Sequence, residues 1–136
     1  MTKRLLIVDD DKIFIKIFRD TLTKDYSGKY EVAVANNGIE ALVKMEEFHP
    51  DLIILDLKMP EMDGLEFLRE RKRRDQGMHI PVLISSNFFD AEKVSEGLDL
   101  GVNGYVVKSD YSIKSIVDHM DSLLGIKTED TKEPDI

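Results

Sequence analysis

Several polar side chains stand directly after apolar runs, where a buried strand must leave the core. Asp9, Asp10 and Asp11 follow "LLIV", Asp56 follows "LIIL", Ser85 and Ser86 follow the run ending at Ile84, and Lys108 follows "GYVV". An acid at a strand-to-helix junction is ordinarily an N-cap accepting backbone N–H bonds, and Asp11, nearest the following helix, fits that role. The other acids need a different reason. Three carboxylates in one cleft repel one another, and hard oxygen donors of this kind suit Mg²⁺, which binds one or two carboxylates and keeps positions for water or phosphate. Asp10 and Asp56 are expected as direct ligands, Asp9 as a ligand through water, and the main-chain carbonyl of Lys58 as a further oxygen. Mn²⁺ is expected to substitute. Lys108 delivers a cation to the acids, and Ser86 adds a hydroxyl donor. Phosphoryl transfer asks chiefly for positioning and for neutralisation of charge on the phosphoryl oxygens, so this set suits a carboxylate nucleophile. Asp56 is the expected nucleophile. Its product, an acyl phosphate, is labile to water, which suits a switch better than a turnover enzyme.

The elements that must position these residues alternate in kind. Short β-type runs occur at Arg4–Val8, Tyr30–Ala35, Leu52–Leu55, Ile80–Ile84 and Gly104–Val107, and helical spacing at Ile13–Asp25, Gly38–Phe48, Leu65–Asp75, Ala91–Leu100 and Ser112–Leu124. Phe14, Ile17, Phe18 and Leu22 read as the buried stripe of the first helix, and Ile39, Leu42, Val43 and Phe48 as that of the second. Ile113, Ile116, Val117, Met120 and Leu124 do the same in the last, with Gly125 as its stop. Alternating strand and helix predicts an α/β fold with a doubly wound parallel sheet, its apolar strands covered on both faces. "YEVAVA" alternates more weakly and suits an edge. In such sheets ligands bind beyond the carboxyl ends of the strands, so the polar residues above are expected to converge.

With 136 residues, one domain over residues 1–125 is expected, followed by a polar tail or the start of a linker at 126–136. The absence of Cys excludes disulfides and thiolate chemistry. No apolar run is long enough to span a bilayer and no signal peptide is evident, so a cytoplasmic protein is expected without membrane contact. A net charge of −8 argues against nucleic acid. The basic cluster "RERKRR" at Arg69–Arg74 is expected to be a solvated helix end, where cations complement the helix dipole.

Taken together, "LLIVDDD", "ANNGIEAL", "PDLIILDLKMPEMDG", "PVLISS" and "DLGVNGYVVK" resemble the receiver domain of two-component response regulators, over roughly Lys3 to Leu124. The resemblance implies a flavodoxin-like (βα)5 fold with strand order 2-1-3-4-5. It implies Asp56 as phosphoacceptor, Asp9 and Asp10 as the acidic metal pair, Ser86 as the switch hydroxyl, Lys108 as the cleft lysine and Tyr105 as the switch aromatic. It further implies a histidine kinase or histidine phosphotransfer protein as donor and a downstream protein as target. The family's output face, formed by the fourth helix, fifth strand and fifth helix, also offers a dimer contact to an otherwise monomeric chain. Lys58 and Phe88 fall where family members tune dephosphorylation, and Ile13 and Ile17 on the first helix are candidates for kinase docking.

Two positions depart from the family pattern. Ser109 replaces the usual proline after the cleft lysine, and a trans Lys108–Ser109 bond is expected. Asn87 replaces a small residue after the switch hydroxyl and is expected to narrow access to Asp56. Three other readings compete. A flavin mononucleotide carrier would want Ser, Thr and Gly where three acids stand. An Asp-nucleophile phosphatase would want an acid where Lys58 stands. A phosphorylation-independent interaction module stays open.

Overall fold

Five apolar runs pair as one parallel sheet in the order β2-β1-β3-β4-β5. The structure, a computed structural model, describes residues 2–87 and 89–126. Its strands are β1 (Lys3–Val8), β2 (Tyr30–Ala35), β3 (Leu52–Leu55), β4 (Val82–Ser86) and β5 (Gly104–Val107). Its helices are α1 (Lys12–Asp25), α2 (Gly38–Phe48), α3 (Gly64–Arg74), α4 (Ala91–Asp99) and α5 (Ile113–Leu124), with a 3₁₀ turn at Lys108–Asp110. This is the flavodoxin-like (βα)5 fold, with β2 at the edge as its weaker alternation predicts. Phe88 and residues 127–136 lie outside the described residues, and with them the expected tail. Among the described residues no helix is long and apolar enough to cross a membrane.

Because strand side chains alternate between faces, the sheet sorts its core into two layers. Leu6, Val8, Ile53, Leu55, Val82 and Ile84 pack with α2 and α3 residues such as Ala41, Met45, Phe67 and Leu68. Leu5, Ile7, Leu52, Ile54, Leu83 and Val106 pack with α1 and α5, against Phe18, Leu22, Val117 and Met120. A tie outside the sheet fixes α5: the buried Asp121 pairs with Lys29 at 2.6 Å and accepts from the Tyr30 hydroxyl at the start of β2.

Four expectations need correction. β4 starts at Val82, not Ile80, because the Ile80 amide bonds back to the Gly77 carbonyl in a turn and Pro81 has no N–H to offer. At the other end Ser85 and Ser86 pair with Val106 and Val107 of β5, so they are the last residues of the strand, not the loop after it. In α1 the buried stripe is Ile15, Phe18 and Leu22, whereas Ile17 is 52% exposed and Phe14 half-buried. In α2, Ala41, Leu42 and Met45 face the core while Ile39 and Val43 are exposed. In the basic cluster Arg71 is wholly buried, with Nη1 donating to the carbonyls of Gly77 and Ile80. Its neighbours behave as a solvated end: Arg69 pairs with Glu96, and Arg73 and Arg74 with Glu70.

The Asp-Gly pair after Asp56 starts a helix. Asp63 is the N-cap of α3, accepting from the Glu66 amide while Glu66 returns a bond to the Asp63 amide, a reciprocal capping box. Asp63→Ala is expected to lower the unfolding free energy by about 1 kcal/mol, read from urea melts. An unchanged midpoint would show that the cap contributes nothing.

Candidate phosphoryl-acceptor site

Three strand-facing residues extend the same side of the sheet past its carboxyl end. Ile7, Ile54 and Val106 all face α1 and α5, and two residues further on stand Asp9, Asp56 and Lys108. Strand parity thus carries three side chains from distant parts of the chain into one cleft. Asp10, exposed at the rim, completes a set in which Asp9, Asp10 and Asp56 each offer a carboxylate oxygen within 4.8 Å of the others. Asp11 takes the capping role, accepting from the amides of Ile13 and Phe14.

The cleft is poised by opposed charges. Lys108 Nζ lies 2.7 Å from Asp9 Oδ2 and 3.8 Å from Asp56 Oδ2, and all three side chains are nearly inaccessible to solvent. Asp9 Oδ1 also accepts from the Asp11 amide. Burial pushes the Asp9 carboxyl above its ordinary range, against the pull of Lys108. Burial, then the neighbouring Asp9 charge, pushes Asp56 up to about 6, while Lys108 and the backbone N–H groups of Lys58 and Leu57 hold it down. One ammonium does not neutralise three acids, and the cluster is short of positive charge. Close, hard oxygen donors with unmet negative charge fit Mg²⁺, with Asp9, Asp10 and Asp56 as the residues that would hold it.

Ser86 falls on the other parity, with Ile84, and faces the α2–α4 layer. There its hydroxyl meets that of Tyr105, which also contacts the Asp90 backbone N–H, and burial raises the Tyr105 pKa. Tyr105 is half-buried and packs edge-on to Phe89, with ring centroids 6.1 Å apart. Both line a cavity of about 200 Å³ that reaches Lys58 and Leu57. Asn87 and Lys58 are exposed, and Ile13 is 73% exposed. The Lys108–Ser109 peptide is trans. Phe88 is outside the described residues.

Two features were missed from sequence. The Phe14 ring lies beneath Lys108, 4.3 Å from Nζ, and steers the ammonium by a cation–π contact. Phe14 was read as a core residue because it shares a face with Phe18. Ser85, on the parity of the acids, is fully buried, and its hydroxyl has no hydrogen-bond partner among the described residues. No signal in a Ser-Ser pair distinguishes which hydroxyl faces which layer until the strand's start is known.

The raised carboxyls set a pH dependence. Between the ordinary carboxylate range and about pH 6 the folded chain holds a proton on Asp56 that the unfolded chain has lost. That contribution raises stability as pH falls through this window, and it disappears as pH rises above 6. Metal binding needs the carboxylates ionised, so the rise in Tm on adding Mg²⁺ is expected to be larger at pH 7.5 than at pH 5. Thermal melts at both pH values check this, and equal shifts would contradict it.

Comparison with known proteins agrees with this geometry. The family model described as response regulator receiver domain matches residues 5–120. The polar-differentiation response regulator DivK of Brucella ovis is 36% identical over 128 residues, covering 92% of this chain and 98% of its own. The phosphorylated cyanobacterial phytochrome response regulator RcpA superposes with a TM-score of 0.77 at 29% identity, covering 91% of this chain and 94% of its own. A CheY-like receiver domain protein from Methanospirillum hungatei does so with a TM-score of 0.79 at 27% identity, covering 92% and 95%. With the family model spanning most of the chain and a relative of this identity matched nearly end to end, the chain belongs to the response regulator receiver family of two-component signalling.

Proposed function

We propose that Asp56 is the phosphoacceptor of this receiver and that its phosphorylation switches a protein-interaction surface. The observation that carries the reading is the convergence of Asp9, Asp10, Asp56 and Lys108 in one cleft with a deficit of positive charge. An Asp56 carboxylate oxygen forms the bond to phosphorus as the phosphorus–nitrogen bond of a phosphohistidine breaks, and the imidazole keeps the electron pair. Lys108, held near both Asp9 and Asp56, moves its charge to a phosphoryl oxygen. Asp9, Asp10 and Asp56, with the Lys58 carbonyl, would hold Mg²⁺ or Mn²⁺, which would supply the remaining neutralising charge. Water attack on phosphorus later returns the carboxylate and inorganic phosphate.

Readout runs through Ser86 and Tyr105, whose hydroxyls already touch. As Ser86 turns to the phosphoryl group it releases Tyr105, and the surface of α4, β5 and α5 around it becomes the output or weak dimer face. The exposed Ile13 and Ile17, one turn apart on α1, are the docking points for the donor, a histidine kinase or phosphotransfer protein. Lys58 and Phe88 shield the acyl phosphate, and Asn87 narrows the entrance. The role is that of a cytoplasmic signalling switch rather than a turnover enzyme. RcpA is phosphorylated in its solved form, which supports carrying the reaction over to this relative.

Incubation with Mg²⁺ and acetyl phosphate is the test. The intact mass is expected to rise by one phosphoryl group, and to stay unchanged with a chelator. No rise with acetyl phosphate, and no response to beryllofluoride, would instead favour the phosphorylation-independent module.

A further inference from the structure

Among the described residues the β2 edge of the sheet pairs with no further strand, and it is built like a receptor for one. β2 pairs with β1 alone among the described residues, through all six of its positions without a bulge. The Lys29 and Ala35 carbonyls accept from the amides of Lys3 and Asp9, so the odd-numbered residues turn their backbone towards β1. Tyr30, Val32 and Val34 therefore turn their N–H and C=O groups outwards. Of the usual guards on such an edge, Tyr30–Ala35 holds no proline, no lysine and no bulge, and its one charge, Glu31, turns its backbone towards β1.

Alongside this edge runs a groove. Two cavities of about 530 and 210 Å³ lie end to end between α1 and β2 and share Arg19 and Thr23. Val32 and Val34 give them an apolar wall. The opposite wall is a single stripe of α1, with Lys12, Lys16, Arg19 and Thr23 spaced four, three and four residues apart. The cations are largely uncompensated. Lys16 pairs with Asp20, whereas Lys12 and Arg19 have no ion-pair partner among the described residues. That is a local excess of positive charge on a chain of net charge −8.

We propose that this groove binds an extended acidic segment of a partner protein, which adds to β2 as a sixth strand. Its backbone bonds to Tyr30, Val32 and Val34, and alternate side chains place carboxylates against Lys12, Lys16 and Arg19. Side chains on one face of a strand repeat every ~6.7 Å, and the α1 cations are separated by ~4.5–6 Å along the helix axis. The spacings differ by a few ångströms, which long, flexible Lys and Arg side chains take up. Charge complementarity selects an acidic occupant, and the open backbone selects a polypeptide. A nucleic acid would meet the same cations but leave the outward N–H and C=O groups unused. Main-chain bonds give the affinity of strand addition, and side-chain pairing gives its specificity. Its lining shares no residue with the acidic cluster or the α4-β5-α5 face, although Lys12 borders the cleft, so a partner held here is expected to remain bound in either state of Asp56.

The test is fluorescence anisotropy with a labelled peptide of about eight residues that alternates glutamate with valine or threonine. Saturable binding is expected, weakened at least tenfold by Lys12→Glu combined with Arg19→Glu, both exposed positions. Of two peptides N-methylated at alternate backbone nitrogens in the two possible registers, the one whose methyls face β2 is expected to lose binding and the other to keep it, a result independent of how any variant folds. Amide exchange at Val32 and Val34 is expected to slow at least tenfold with the parent peptide. The proposal is overturned by absence of saturable binding, by binding indifferent to the charge reversal, or by both N-methylated peptides binding as well as their parent. In the last case the patch is a general polyanion site, and heparin would displace the peptide without altering exchange at Val32 and Val34.

Discussion

Asp56→Asn protein given Mg²⁺ and acetyl phosphate is expected to keep its unmodified mass, and without metal it is expected to be more stable than the wild type at neutral pH. Both effects come from one carboxylate. The amide cannot act as the nucleophile, so uptake falls to nothing rather than by a fraction. The stability gain follows from burial and from Asp9, which together lift the Asp56 pKa from 3.8 to about 6. At neutral pH the folded state bears the cost of an ionised buried acid that the unfolded state does not. Removing it is expected to stabilise the metal-free protein by on the order of 2 kcal/mol. The gain should shrink as pH falls below 6, because the wild-type carboxyl then becomes neutral in the folded state. Urea melts at pH 7.5 and pH 5 measure it. A variant less stable than wild type at pH 7.5 would mean that Lys108 more than offsets the burial of Asp56.

Gly64→Ala is expected to damage fold and site together. An added Cβ would lie 2.4 Å from the Asp56 carbonyl oxygen and 2.8 Å from the Leu57 Cα. Both obstacles are backbone, so no side chain can swing away. The Gly64 amide also donates to the Leu57 carbonyl, fastening the start of α3 to the loop that carries Asp56. Relief requires moving that loop. A loss of about 1–3 kcal/mol or more is expected, together with slower phosphoryl uptake in the fraction that folds. Melts and the time course of mass gain read the two effects separately. Stability and rate both at wild-type values would show that the loop is softer than its contacts indicate.

How much of this was legible in the sequence depended on whether one residue type had one plausible place. The sheet was readable because "LLIV" and "LIIL" have no polar member and permit only a strand buried on both faces. Asp9, Asp56 and Lys108 were readable because each ends such a run, and strand parity did the rest. Local pattern failed where several apolar residues competed. Ile13, Phe14, Ile15, Ile17 and Phe18 crowd the first turns of α1 and define no single face, and the packing chose Ile15 and Phe18. In α2 the fit beneath the sheet favoured Ala41 over the larger Ile39 and Val43. Arg71 was illegible for a tertiary reason: the carbonyls that receive it, from Gly77 and Ile80, belong to the turn before β4. That same turn delayed the strand's start, while pairing with Val106 and Val107 of β5 carried its end through Ser86.

The most direct test of the central claim is to locate the phosphoryl group chemically. Wild-type protein is loaded with acetyl phosphate and Mg²⁺, reduced at once with borohydride, digested and read by peptide mass spectrometry. Reduction of an acyl phosphate at Asp56 converts that aspartate to homoserine, so homoserine is expected at residue 56 alone, and only in the sample that received both metal and phosphodonor. Homoserine at Asp9, Asp10 or another acid, or none in a sample whose intact mass had risen, would contradict the assignment of Asp56 as the acceptor.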